Sequence, residues 1–320
     1  MKVIAFSNYA IKGESASYKV VSSTRWLQAA AKKADVDFSM IDGINENIVG
    51  DNIIFVPIGT KAFNSEKAKD GLDNFLKRNK NNVKYLMCDD PIHVNDVMHI
   101  AADNFKNYID KEGIGVRPSS IKMMRKGLLD GSIKVLISSM FFKKGLSEGR
   151  SKYQDAFNKI DIQHINIGHF QYKGLPNFTP LSNDTAVVAS MHDYNRKKVH
   201  TFCDNANVRC IEFSKYTTKV DQLTAQKEIA ESKYLITVPL VTSLSGTGWF
   251  RSAYLSCYKY NTLCVCMDKN DTKLYNVASV DDIINDESIY NEMLNRQQKS
   301  FKKIISDYRP TIDFIKNTFK

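Results

Sequence analysis

Short β-forming runs alternate with helical patterns along this chain, and the alternation restarts once, near its middle. That pattern points to parallel βα units, because a parallel strand needs a crossover, usually a helix, before its neighbour can be laid down. In the first half the strand candidates are 2–6, 37–41, 53–57, 83–87, 133–138 and 162–167. Ser22-Ser23-Thr24 followed by Trp26, Leu27 and the Ala29–Ala31 run reads as a capped amphipathic helix. A second helix fits 66–79, with Leu72, Phe75 and Leu76 on one face, and 101–130 reads as two short helices around Arg117-Pro118. Turn formers then cluster at Gly168, Gly174, Pro176, Asn177, Pro180, Ser182 and Asn183, the expected interdomain connection. Beyond it, strands fit 185–190, 208–213, 234–238 and 262–267, with helices near 195–204, 221–232, 248–260 and 281–297. A last amphipathic helix, 299–318, is expected to break or kink at Pro310. The expected fold is α/β, two doubly wound Rossmann-like halves with a cleft between them; 320 residues suit two domains of ~150 each.

Composition narrows the class. With 43% hydrophobic and 25% charged residues the chain reads as a soluble globular protein, and no stretch approaches the ~20 apolar residues of a membrane span. The six cysteines form no Cys-x-x-Cys pair, and four lie in or beside apolar runs, so buried thiols are expected rather than disulfides or zinc ligands. A reducing, cytoplasmic setting follows. The net charge of +10 favours a polyanionic partner such as nucleic acid, or serves only solubility. The cations come in small groups: Lys77-Arg78-Asn79-Lys80, Lys122 with Arg125-Lys126, Lys143-Lys144, Arg196-Lys197-Lys198 and Lys302-Lys303. This suits a basic face on a folded protein rather than a disordered arm.

Three loops carry candidate chemistry. The run Val83–Cys88 ends in Asp89-Asp90-Pro91, a carboxylate pair at the C-terminal end of a buried strand. An acid there is either a helix cap or a catalytic base, since ligands of open α/β sheets sit beyond the strands' carboxyl ends. In the second half, Ser190, His192 and Arg196 enter a helix whose start carries Arg196-Lys197-Lys198. Cations there oppose the helix dipole unless an anion is near, so the loop is either a diphosphate site or a solvated basic turn. The loop Thr242–Gly248, with Ser245 and Thr247, runs into Arg251 and offers hydroxyls, small residues and a guanidinium to the same kind of ligand. Its Gly-Thr-Gly lacks the third glycine of a dinucleotide fingerprint. His93 and His99 near Asp96, and His164 with His169, match no metal spacing, and no hydrolase elbow or phosphate-binding Gly-Lys-Ser/Thr loop is present.

On these residues the chain resembles the T-even phage DNA β-glucosyltransferase family, glycosyltransferases of the two-domain GT-B type. Tyr85-Leu86-Met87-Cys88-Asp89 is similar to the family's Tyr-Leu-Phe-Thr-Asp, whose Asp is the catalytic base. Val21-Ser22-Ser23, Arg117-Pro118 followed by Ile133-Lys134-Val135, Ser190-x-His192-x-x-x-Arg196, Glu292-Met293-Leu294 and Gln297-Gln298 also look similar. The resemblance implies an inverting transfer of a sugar from a UDP-sugar to a 5-hydroxymethylpyrimidine in duplex DNA, inside an infected bacterial host. It implies Asp89 as base with Asp90 assisting or capping, and donor contacts from Thr24, Ser190, His192, Arg196, Ser245, Thr247, Arg251 and Tyr254. Acceptor-side contacts fall to Arg117, Lys122 and Arg125. A monomer is the default, and a divalent ion, Mg²⁺ or Mn²⁺, helps product release without a dedicated metal site. The implied domains are 1–175 on the acceptor side, 176–300 for the nucleotide-sugar, and a C-terminal helix, 301–320, returning to the first domain. The chain departs from the family where His192 replaces an arginine, Thr24 replaces a donor-side Glu, and Tyr254 or Ser256 stands at the ribose-binding Glu. The sugar is therefore open. Two rivals stand beside this reading: a GT-B enzyme with a non-DNA acceptor, and a non-catalytic DNA-binding relative.

Overall fold

The computed structural model describes residues 3–7, 23–42, 47, 49–55, 66–88, 97–103, 117–137, 158–189, 193–213, 222–238, 252–267, 272, 275–282 and 286–319. The chain divides into two compact units, one ending at Ile167 and regaining the chain at Arg309, the other holding Gly168–Tyr308.

The first unit is built on strands β1 (Val3–Ser7), β2 (Phe38–Asp42), β3 (Asn52–Phe55), β4 (Val83–Cys88), β5 (Lys134–Ile137) and β6 (Ile162–His164). They form one parallel sheet in the order β2-β1-β3-β4-β5-β6. A parallel sheet covered on both faces needs near-continuous apolar strands. β4 shows why: Val83 and Tyr85–Cys88 are all buried. Helix α1 (Ser23–Lys33) buries Trp26, Leu27, Ala30 and Ala31. Helix α2 (Glu66–Arg78) buries Leu72, Phe75 and Leu76 completely, each worth ~1.5–3 kcal/mol. Helix α3 (Pro118–Asp130) has proline at its first position and stops at Gly131, whose φ of 77° suits a residue without Cβ.

Helices α2 and α3 share a buried carboxylate. Asp73 accepts hydrogen bonds from Ser119 and from Ser120 at 2.7 Å, and its other oxygen lies 2.5 Å from Lys77 Nζ. Burial pushes this carboxyl up, but the bonds from Lys77, Ser119 and Ser120 outweigh it and hold it below the usual range. A carboxyl lowered in the folded state stabilises above its unfolded value, near 4, and loses that contribution as pH falls through the folded value. Asp73→Asn should therefore cost about 1–3 kcal/mol at pH 7, with the gap to wild type closing below pH ~4 in denaturation series.

The second unit carries α4 (Gly168–Gly174), β7 (Asn183–Ala189), α5 (Asp193–Asn205), β8 (Arg209–Phe213), α6 (Gln222–Glu231), β9 (Ser232–Thr237), α7 (Ser252–Tyr260), β10 (Leu263–Cys266), β11 (Ala278–Ser279) and α8 (Glu287–Ser306). Its sheet is again parallel, in the order β11-β10-β9-β7-β8. Its core gathers Val188, Val199, Phe202, Tyr234, Ile236, Val265 and Leu294. In both units the chain first adds a strand on one side, then returns across the first strand and winds the other way. The switch points lie between β1 and β3 and between β7 and β9.

Several expectations shift. The connection expected at 168–183 begins as helix α4. Helix α8 starts at Glu287 rather than 281, because Asp286 caps it, accepting from the Ser288 amide at 2.6 Å. The expected 299–318 helix is two elements: α8 runs on to Ser306, and α9 (Arg309–Phe319) begins beyond Asp307-Tyr308. Pro310 thus opens a helix rather than kinking one, a position that needs no amide proton. Tyr308, at the break, stacks on His169 with ring centroids 4.0 Å apart. Helix α9 packs in the first unit, with Phe314 and Phe319 edge-on to Tyr85 and Thr311 donating to the Asn166 carbonyl.

Candidate functional site

In doubly wound sheets the ligand crevice opens at the strands' carboxyl ends, where the winding reverses. In the second unit that point is fixed by register: Ala189, the last residue of β7, pairs with Thr237, the last of β9. The chain leaves Ala189 and re-enters at Asp193 in α5; from Val238 it re-enters at Ser252 in α7. Both connections singled out for a diphosphate, the one with Ser190 and His192 and the one with Ser245, Thr247 and Arg251, therefore follow the two strands flanking the switch point. Those five residues lie outside the described residues, as do Asp89 and Asp90. Asp89 is the residue after Cys88, which is fully buried at the end of β4 and paired with Ile137. Thr24 stands in the first turn of α1.

Arg196 is described, and it has a partner. Its Nη1 donates to Glu212 Oε2 at 2.6 Å, and His200 Nε2 lies 3.0 Å from the same carboxylate's Oε1. Lys198 pairs with Asp281 at 2.7 Å. The helix starts at Asp193, so the basic run falls at its fourth to sixth residues, and the protein itself supplies anions for two of the three cations. The dipole argument for an external anion is weakened accordingly. Glu212 had no role in the sequence reading; the signal was an acid inside the short strand Arg209–Phe213.

Tyr254 does not line a site. It is fully buried, its ring stacked on Phe301 at 5.4 Å and beside Tyr275, with its hydroxyl 3.8 Å from Cys266 Sγ. A ring with no exposed surface has nothing to offer a ribose, so its assignment as a donor contact is corrected to a core role. Ser256, the other residue at that position, is 1% exposed, and its hydroxyl has no protein partner.

On the acceptor side Arg117 caps the entry to α3 and ties it to α2: its Nε and Nη2 donate to Asp70 Oδ1 at 2.9 and 2.7 Å. Lys122 is exposed, and Arg125 Nε is 3.6 Å from the Asp103 carboxylate, an ion pair too long for a hydrogen bond. Because α2 packs against α3, the basic groups Lys77-Arg78-Lys80 and Lys122-Arg125-Lys126 share one helix pair. Asn79, inside the first run, faces inward instead, accepting from the Gly50 amide at 3.1 Å. Among the described residues no helix is long and apolar enough to cross a membrane.

No protein-family model matches the chain, and no curated protein matches it. Solved structures do. A DNA-modifying β-glucosyltransferase, determined with and without uridine diphosphoglucose, aligns over 99% of both chains at 12% identity with a TM-score of 0.55. An α1,3-fucosyltransferase aligns over 97% of this chain and 90% of its own at 12% identity and a TM-score of 0.39. A spinosyn rhamnosyltransferase bound to thymidine diphosphate aligns over 99% and 95% at 8% identity and 0.34. The likeness to the first of these is one of fold: the chain shares with the DNA-modifying enzyme an α/β architecture of parallel sheets along its whole length.

Proposed function

We propose that this chain is an inverting glycosyltransferase of GT-B type that moves a sugar from a UDP-sugar to the 5-hydroxymethyl group of a pyrimidine in duplex DNA. The observation carrying the proposal is the coincidence at the second sheet: both loops rich in hydroxyl and cationic residues follow the two strands at its switch point. The full-length fold likeness to a DNA-modifying glucosyltransferase supports the reaction class and the acceptor. In this reading Asp89 takes the proton of the acceptor hydroxyl as its oxygen attacks the anomeric carbon from the face opposite the nucleotide. The bond from that carbon to the diphosphate breaks, and Ser190, His192, Ser245, Thr247, Arg196 and Arg251 stabilise the charge that develops on the leaving group. Arg196 reaches the diphosphate by exchanging its bond to Glu212. Lys122, Arg125 and their neighbours on α2 and α3 hold DNA through its phosphates, with Arg117 anchoring the helix pair, and the target base leaves the stack to react.

Mg²⁺ and Mn²⁺ favour oxygen-rich ligand sets. The one His/Cys/Asp/Glu group among the described residues close enough to hold an ion mixes nitrogen, sulfur and oxygen, and does not fit them. No step of this mechanism runs through a divalent ion. The reading is tested by nucleoside mass spectrometry of DNA containing hydroxymethylcytosine or hydroxymethyluracil after incubation with the protein and a panel of UDP-sugars. A gain of one hexose or pentose is expected, and it names donor and base together. No gain with any pair, alongside sugar transfer to a non-DNA hydroxyl acceptor, would overturn the DNA assignment.

A further inference from the structure

We propose that His200, Cys203, Cys210 and Glu212 form a binding site for a borderline-soft divalent transition ion, best matched by Zn²⁺. It shares Arg196 with the proposed donor site, and its test therefore reads metal binding rather than sugar transfer. His200 and Cys203 stand three residues apart on α5, on one face of the helix. Cys210 and Glu212 stand two apart on β8, on one face of a strand that closes the edge of its sheet. Helix α5 and β8 are joined by a turn of only three residues, 206–208, and pack on one another. The ligating atoms of His200, Cys210 and Glu212 already lie within 4.8 Å of one another, with His200 Nε2 and Glu212 Oε1 at 3.0 Å. Cys203 stands behind this group with its thiol against the Cys210 sulfur, and it must move in to become the fourth ligand.

Zinc bonds of about 2.0–2.3 Å to nitrogen, oxygen and sulfur place tetrahedral ligand atoms roughly 3.3–3.8 Å apart, so His200, Cys210 and Glu212 need to close by up to about 1–1.5 Å, and Cys203 by more. Burial is graded in the way an ion requires. Cys203 is 2% exposed and forms the floor, Cys210 and Glu212 are half-buried, and His200 stands on the solvent side as the entry. Binding deprotonates both thiols, releasing two protons. Two thiolates and one carboxylate against a divalent ion leave one negative charge, and Arg196, held on the other oxygen of Glu212, neutralises it and orients the carboxylate. Two thiols with imidazole and carboxylate select zinc-like ions over Mg²⁺ or Ca²⁺. An ordinary surface ion pair accounts for Arg196, His200 and Glu212, but not for the Cys210 sulfur within 4.8 Å of both the imidazole and the carboxylate.

The test is a titration of the reduced, metal-free full chain with Co²⁺, followed by Zn²⁺. One equivalent of Co²⁺ should give tetrahedral visible bands and a thiolate-to-cobalt charge-transfer band, both removed by Zn²⁺. His200→Gln and Glu212→Gln, at accessible positions, should each weaken Co²⁺ binding at least about tenfold, and Cys210→Ser should remove most of the charge-transfer intensity. Circular dichroism of each variant checks the fold; should Cys210→Ser fail it, the His200→Gln result decides. Absence of a thiolate band in the wild-type chain, or a band unchanged in His200→Gln and Cys210→Ser, overturns the site.

Discussion

Asp89→Ala is expected to lower the rate of sugar transfer by about 10²–10⁴-fold, the span a positioned general base contributes, while donor and DNA binding persist. The proposed acceptor is a primary alcohol, a poor nucleophile until its proton is taken during attack, so removing the base would strike kcat before KM. Asp89 is the first residue past the buried end of β4, a strand with parallel neighbours on both sides and one strand removed from the β1–β3 switch point. Asp89→Asn keeps the shape and removes the base, so it should fall nearly as far. Asp90→Ala should retain most activity. Single-turnover conversion, read as glycosylated nucleoside by mass spectrometry, makes the measurement. The competing role, a helix cap, has its own signature: a stability loss of about 0.5–2 kcal/mol with transfer intact. Wild-type turnover in Asp89→Ala would sink the assignment and hand Asp89 to that role.

The parts of the fold legible in the sequence are those where burial on both sides leaves a strand no choice of composition. Val83–Cys88 and Leu263–Cys266 announce themselves because a central parallel strand has no solvent face, and so do Leu72, Phe75 and Leu76 on α2. That the two candidate segments follow strands was legible from the alternation, but the strand order that sets β7 beside β9 was not. Illegible features depend on partners distant in sequence. Nothing local shows that Arg196 turns to Glu212, that Tyr254 is roofed by Phe301, or that Tyr308, between the last two helices, stacks on His169. Pro310 was legible as a break in the helical pattern, and what the sequence left open is that it lies in the first turn of the new helix rather than ending the old one. The cysteines read only as buried thiols, and nothing in the sequence singled out His200 or Glu212. Only the pairing of α5 with β8 brings them together.

The largest stability effect is expected at Gln297, which the sequence comparison treated as part of a family-like segment. Its side chain is fully buried in α8: Oε1 accepts from the Cys264 amide at 2.7 Å, and Nε2 donates to the Thr262 carbonyl at 2.9 Å. β10 pairs with β9 along Leu263–Cys266, but β11 begins only opposite Val265. Gln297 therefore does for the start of β10 what a neighbouring strand would do, presenting one acceptor and one donor with the spacing of a peptide group. The adjacent Gln298 adds a bond to the Cys257 carbonyl at 3.2 Å, tying α8 to the end of α7 as well. Removing the amide strands two buried backbone groups, each worth about 1–3 kcal/mol, and leaves a cavity besides. Gln297→Ala should then cost about 3–5 kcal/mol in the second unit's unfolding transition. Gln297→Met, which fills the volume but offers neither bond, separates the two causes and should retain most of the loss, about 2–4 kcal/mol. Urea denaturation monitored for the second unit reads both values. A Gln297→Met protein within about 0.5 kcal/mol of wild type would mean that the backbone groups find other partners and that packing alone holds α8 to β10. The expected loss would instead place the Gln297-Gln298 likeness in the scaffold of the second sheet, since β10 is the strand beside β9.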